Sequence, residues 1–255
     1  MKQRVISGAF ILLITISVII AGSYLLKTAC VLINLYGSYE IVKCARGKSD
    51  WPICIVSAIT SLLIYLFFDK ALLFIIVDFL VLFTFSIFDE ERKIDDLALI
   101  FLITVILGCT TYFMVFTREI SMPLLAYVFI ICYLTDACAY FVGSFFGKHK
   151  LNERVSPKKS IEGSVGGFIG GMLISLLWAY LFDFFGVDKL IIIVSSILLP
   201  IVNQIGDLAY SLIKRHYGIK DFSNLIPGHG GLLDRLDSLT FVICLLGSLL
   251  YFVGR

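Results

Sequence analysis

The sequence predicts an all-α, polytopic integral membrane protein. Three observations carry that prediction. Hydrophobic residues make up 59% of the 255. The mean hydropathy is +0.98. Apolar runs of roughly 18 or more residues recur from end to end, each long enough to cross a bilayer as a helix. No polar block is long enough to fold as a separate soluble domain, and no internal repeat or low-complexity segment is present.

The spans follow in order. The first runs roughly 5–26 and reads as a retained span, because its apolar run exceeds a typical signal-peptide core and no clear cleavage site follows. The second, 29–44, is short and carries Glu40, so eight spans remain an alternative to about nine. The others are expected at 51–68, 71–88, 97–116, 122–146, 161–182, 188–213 and 237–253. The seven cysteines show no metal spacing and lie mostly inside apolar runs, where Cys acts as a small hydrophobe. With the N-terminus in the cytoplasm, 16 of the 21 Lys and Arg residues fall on the cytoplasmic side, as positive-inside bias requires. The large polar loops 147–160 and 214–236 then face the cytoplasm. The expected organisation is an N-terminal set of helices, 1–120, with little motif content, and a C-terminal catalytic region, 121–255, that owns both loops. The net charge of +2 decides little, and no nucleic-acid partner is expected.

The polar residues cluster in three places. In the last loop, Lys214, Arg215, Lys220, Asp221, His229, Asp234, Arg235 and Asp237 stand with Gly228, Gly230 and Gly231. So many ionisable groups in an apolar chain are costly and point to chemistry on a charged substrate. Asp207, near the cytoplasmic end of the eighth span, is expected to meet Asp234. Two such carboxylates repel unless a cation lies between them, and Mg²⁺ completed by substrate phosphates fits. The glycine-rich stretch 227–231 forbids regular helix, and its amides are expected to line a phosphate nest. Ordinary interfacial cations would explain Lys214 and Arg215 alone. The second cluster is Ser156-Pro157-Lys158-Lys159-Ser160, read as a proline-fixed turn able to hold a phosphate. Taken alone, contact with anionic lipid explains it as well. Glycines at 163, 166, 167, 170 and 171 read as a close helix-packing stripe. The third is Asp136, which repeats at helical spacing with Tyr140 and Gly143. Asp78 and Glu40 receive no role beyond structural polar contacts.

A family resemblance rests on these residues. Ser211, Lys214, Arg215, Lys220, Asp221, Ser223, Pro227, His229, Gly230, Gly231, Asp234, Arg235 and Asp237 stand in the order and spacing of a motif. In this respect the chain resembles the phosphatidate cytidylyltransferases, or CDP-diglyceride synthases. Asp136 to Tyr140, Gly143, Ser156 to Ser160, Glu162-Gly163 and Gly206-Asp207 extend the likeness over about 130–245. The resemblance implies a transferase of phospholipid biosynthesis that joins CTP and phosphatidic acid into CDP-diacylglycerol and pyrophosphate with Mg²⁺, a second cation being left open.

It further implies that Asp207 and Asp234 hold the metal, with Asp237 and Asp221 as helpers. Lys214, Arg215, Lys220 and Arg235 would stabilise phosphate charge. His229, Gly230 and Gly231 would shape the nucleotide pocket, and Ser156, Pro157, Lys158 and Lys159 would contact substrate phosphate, with Asp136 close by. The expected setting is the cytoplasmic side of a bacterial inner (plasma) membrane, and a homo-oligomer is compatible. A CTP-dependent polyprenol kinase would use similar parts on the γ-phosphate. A transporter would put its polar site near the bilayer midplane instead.

Overall fold

The computed structural model describes residues 8, 13–184, 186–226, 228 and 230–252. Eight helices carry the chain: α1 Ser23–Arg46, α2 Trp51–Leu66, α3 Ala71–Phe88, α4 Ile94–Ile120, α5 Met122–Phe146, α6 Ile161–Leu181, α7 Lys189–His216 and α8 Leu233–Phe252. A further helical stretch lies at 13–20. The protein is all-α and built for a membrane, with one small β-hairpin added.

Of the nine expected spans, six are shown among the described residues. Among the described residues six helices are long and apolar enough to cross a membrane, α3 to α8. α2 is a shorter apolar helix. α1 is long enough but buries Asn34, Ser38 and Glu40, which lowers its apolar character. The expected first span, 5–26, lies partly outside the described residues. What is described of it ends early, because the helix breaks at Gly22, whose φ of 101° is open to glycine and strained for other residues. α1 consequently begins at Ser23 rather than 29.

The stretch 147–160 is corrected, from loop to hairpin. β1, Lys150–Asn152, pairs antiparallel with β2, Ser156–Ser160. Asn152 closes the turn by accepting from Val155 N at 3.2 Å. Lys150 Nζ braces the pair by donating to Pro157 O at 2.8 Å. Ser156 to Lys159 is thus a strand, with Pro157 at a position that needs no ladder donor.

Two compact units make up the chain: Met1–Val115 with Asp221–Arg235, and Phe116–Lys220 with Leu236–Arg255. In the first, α1 packs on α2 and α2 on α3. Its apolar core encloses a polar ladder. Asn34 Nδ2 donates to Thr111 Oγ1 at 2.8 Å, Ser57 pairs with Thr104, and Thr60 Oγ1 donates to Asp78 Oδ1 at 2.9 Å. Asp78 thus makes a polar contact inside this unit. Charged residues outside the helices clasp one another, with Arg92 on Asp50 at 3.2 Å and Lys48 on Glu91 at 2.7 Å. The Lys48 ammonium holds the Glu91 carboxyl below its usual range.

In the second unit α5 and α6 run in close contact. The glycine stripe makes that approach possible. A Cβ on Gly167 would lie 2.8 Å from Ala139 Cβ, one on Gly166 2.5 Å from Val142, and one on Gly170 2.5 Å from Cys138 Sγ. Each glycine exchanges side-chain volume for backbone proximity. The helix starts are specified by sequence. Ser121, Ser160 and Asp188 cap α5, α6 and α7 by accepting from Leu124 N, Gly163 N and Leu190 N. Glu162 accepts from Lys148 N at 3.1 Å and meets His149 Nδ1 at 2.6 Å, anchoring the start of the hairpin to α6.

Candidate active site

A cavity of about 490 Å³ opens in the second unit, a volume suited to a nucleotide-sized ligand. α5 contributes Asp136 and Tyr140 to its wall, β2 contributes Lys158 and Lys159, and α7 contributes Gln204 and Asp207. The expected alignment of Asp136, Tyr140 and Gly143 on one face of α5 is what brings all three to it.

Each charge has a defined neighbour. Lys159 Nζ forms an ion pair with the Asp207 carboxylate. Asn203 Nδ2 donates to Asp136 Oδ1 at 2.9 Å. Ser164 Oγ donates to Gln204 Oε1 at 2.5 Å, and Gln204 Nε2 donates to the Ser164 and Pro200 carbonyls. Lys158, one residue from Lys159, is exposed. On α8, Asp237 lies within electrostatic reach of Asp207, Asp136 and the buried Lys214. Gly206 is the reason Asp207 and Asp237 come together. A Cβ there would lie 3.0 Å from both Asp237 O and Ser238 Cα, so α7 and α8 touch backbone to backbone.

Three carboxylates of one unit, Asp136, Asp207 and Asp237, thus share one region with Lys159 and Lys214. Like charges gathered this way call for compensating cations. The donor set is oxygen only, which suits Mg²⁺. Among the described residues, no group of three or more His, Cys, Asp or Glu is placed to hold a metal ion by itself. Mg²⁺ commonly takes one or two carboxylates and completes its shell with water and substrate phosphate, so the residues present fit it.

The rest of the motif segment, Asp221–Arg235, lies in the first unit. Asp221 and Arg235 are exposed, as are Arg215 and Lys220 in the second unit. Arg215 Nη1 donates to Ile219 O at 3.0 Å, closing the end of α7. Asp234 is buried, and its Oδ2 accepts from Phe222 N at 2.8 Å and Gly231 N at 2.9 Å. Within the expected phosphate nest, 227–231, the amides of Gly230 and Gly231 already have acceptors. The amides of Gly231, Leu232 and Leu233 are already taken by the carboxylates of Asp234 and Glu40. Gly230 N donates to Ile226 O across an isolated bridge. Pro227 and His229 lie outside the described residues.

Sequence reasoning missed Glu40, Asn203, Gln204 and Ser164. Glu40 was visible as an acid in an apolar run, and Asn203 and Gln204 as amides one turn before Asp207. Their partners are remote in sequence, so no local spacing announced them.

Comparison with known proteins places the chain. The model of the cytidylyltransferase family matches residues 2–253. The chain belongs to the cytidylyltransferase family. It is accordingly an enzyme, a nucleotidyltransferase. It is 31% identical over 258 residues to a phosphatidate cytidylyltransferase of Staphylococcus haemolyticus, covering 98% of this chain and 99% of that protein. A phosphatidate cytidylyltransferase of Staphylococcus aureus is 30% identical over 261 residues, with the same coverage. One from Bacillus subtilis is 30% identical over 272 residues, covering 98% and 97%. The likeness is thus nearly end to end, extending past the motif region into the N-terminal helices.

Proposed function

We propose that this enzyme forms CDP-diacylglycerol and pyrophosphate from CTP and phosphatidic acid. The observation that carries the reading is the motif from Ser211 to Asp237 in a chain alike end to end with relatives named phosphatidate cytidylyltransferase. The cavity that joins lysines to carboxylates supports it.

In this reading an oxygen of the phosphatidate attacks the α-phosphorus of CTP. The bond from that phosphorus to the β-phosphate bridge oxygen breaks, and pyrophosphate leaves with the electron pair. Both reacting groups are anions, so the protein's work is to position them and offset their charge. Bound Mg²⁺ would neutralise phosphate charge and lower the electron density at the α-phosphorus. Asp207 would hold it, with Asp237 and Asp136 as neighbours and Asp234 included by the family motif. Lys159 orients the Asp207 carboxylate, and Lys158 projects its ammonium for a phosphate. Lys214, Arg215, Lys220 and Arg235 supply further positive charge, and His229, Gly230 and Gly231 would shape the nucleotide pocket. The positive-inside bias supports a cytoplasmic setting for this surface, where CTP is, at the inner membrane of a bacterial cell.

The test is product identity from purified protein, phosphatidic acid, Mg²⁺ and CTP labelled in the α- or γ-phosphate. CDP-lipid and pyrophosphate are expected. A phosphorylated lipid with CDP would mark a CTP-dependent kinase and overturn the reading.

A further inference from the structure

Glu40 is fully buried in α1, yet its carboxylate does not serve α1. Among the described residues, all three hydrogen bonds to that carboxylate come from the motif segment of the same unit. Ser223 Oγ donates to Oε1 at 2.5 Å, Leu232 N to Oε1 at 2.9 Å, and Leu233 N to Oε2 at 2.8 Å. Asp234 works beside it, bridging Phe222 N and Gly231 N. Between them the two carboxylates close the segment into one loop, from 222–223 at its start to 231–233 at its end. Leu233 opens α8, so Glu40 also caps that helix from another part of the chain, where its charge meets the positive end of the dipole.

Gly231 belongs to the same arrangement. A Cβ there would collide with Glu40 Oε1 and lie 2.8 Å from Ser223 Oγ. Glycine at 231 is what admits the carboxylate. A buried carboxylate is destabilising unless its oxygens are satisfied. An apolar residue would fill α1 at no such cost, and here every bond that compensates Glu40 holds the one loop that carries Asp234 and Arg235.

We propose that Glu40 is a positioning residue for the reaction. It touches no substrate. It fixes the 223–233 loop and the first turn of α8, and with them the orientation in which Asp234 and Arg235 are presented. The proposal rests on the reading above that the motif segment carries the reaction.

Glu40→Gln tests it with little change of shape. Gln keeps one accepting oxygen but turns an NH₂ toward backbone or hydroxyl donors, so at least one hydrogen bond is lost. The expected result is a kcat lower by about 10–100-fold, with KM for CTP and for phosphatidic acid changed by less than about threefold. In hydrogen–deuterium exchange of the detergent-solubilised protein, the amides of Leu232 and Leu233 should exchange at least about tenfold faster, as local opening becomes easier. Asp78→Asn serves as control, since Asp78 is a buried acid of the same unit bonded to Thr60. It should leave exchange at 232–233 at the wild-type rate and kcat within about twofold.

Wild-type kcat in Glu40→Gln overturns the proposal, as does wild-type exchange at Leu232 and Leu233. A loss carried by KM for either substrate also overturns it, by making Glu40 a substrate contact. Should the wild-type products be those of a kinase, the functional reading fails, while kcat and exchange still decide the role of Glu40 in the reaction observed.

Discussion

Lys159 and Asp207 form an ion pair that ties strand β2 to helix α7 at the wall of the cavity. The pair separates two lysines that look equivalent in sequence. Lys159 is half-buried on its partner, whereas Lys158 is exposed. Lys159→Ala should lower kcat/KM for CTP by about 10²-fold, because both a charge and the orientation of Asp207 are lost. Lys158→Ala should cost less, and chiefly in KM for phosphatidic acid. A new lysine at position 152 restores the cationic count of the hairpin and should not restore either activity. Equal losses in the two alanine variants, or recovery by the lysine at 152, would contradict this assignment.

Asp207→Asn should lower kcat by at least about 10²–10³-fold, since the charge that would hold a divalent cation is removed. Asp234→Asn should be comparably inactive. Asp237→Asn should be milder, since Asp237 already accepts from Ser238 N at 2.9 Å and acts from the side. Raising Mg²⁺ should partly rescue Asp237→Asn and leave Asp207→Asn unchanged. The measurement is kcat against Mg²⁺ concentration for each purified variant. Near-wild-type turnover of Asp207→Asn at low Mg²⁺ would remove it from the metal site.

Gly167→Leu should destabilise the second unit without touching the cavity chemistry directly. Its new Cβ would press on Ala139 Cβ and Thr135 O, each 2.8 Å away, and overpacking of that kind costs about 1–3 kcal/mol. A lowered Tm in detergent is expected, with Leu177→Ala, on an exposed part of α6, near wild type. An unchanged Tm for Gly167→Leu would mean that α5 and α6 are not in close contact.

The orientation reading places both polar segments in the cytoplasm. Asn152 and Asn224 are exposed, one in each segment. In a background without the native cysteines, Asn152→Cys and Asn224→Cys should react with an impermeant maleimide only when the cytoplasmic face is open. Reaction of either from the outer face of intact cells would reverse the topology.

Much of this architecture was legible in the sequence. Helices α3, α5 and α6 stand within a residue of their expected positions, because an apolar run of bilayer length leaves the chain one economical structure. The glycine stripe from 163 to 171 was legible for a similar reason, since small residues at helical spacing permit only close approach. The hairpin was not, because its turn depends on the Asn152 side chain and five residues of weak strand pattern. Asp136 could be tied to a helix face but not to Asn203, 67 residues away. Glu40 and Leu233 are 193 residues apart, and a hydrogen bond at that separation leaves no periodic trace. Spacing reveals what one element presents; it is silent about which distant backbone amide a buried carboxylate will meet.

The hairpin brings both of its lysines to one cavity, and its strand is fixed from the far end. Ser160 closes β2 and caps α6, so 156–160 is tied to that helix rather than to the turn. An insertion between the turn and Ser156 would lengthen the tip and leave the Lys159–Asp207 pair in place. An insertion between Lys159 and Ser160 would instead carry the ammonium away from its carboxylate. In descendants of this gene, length changes should accumulate at the hairpin tip and be absent from 156–160.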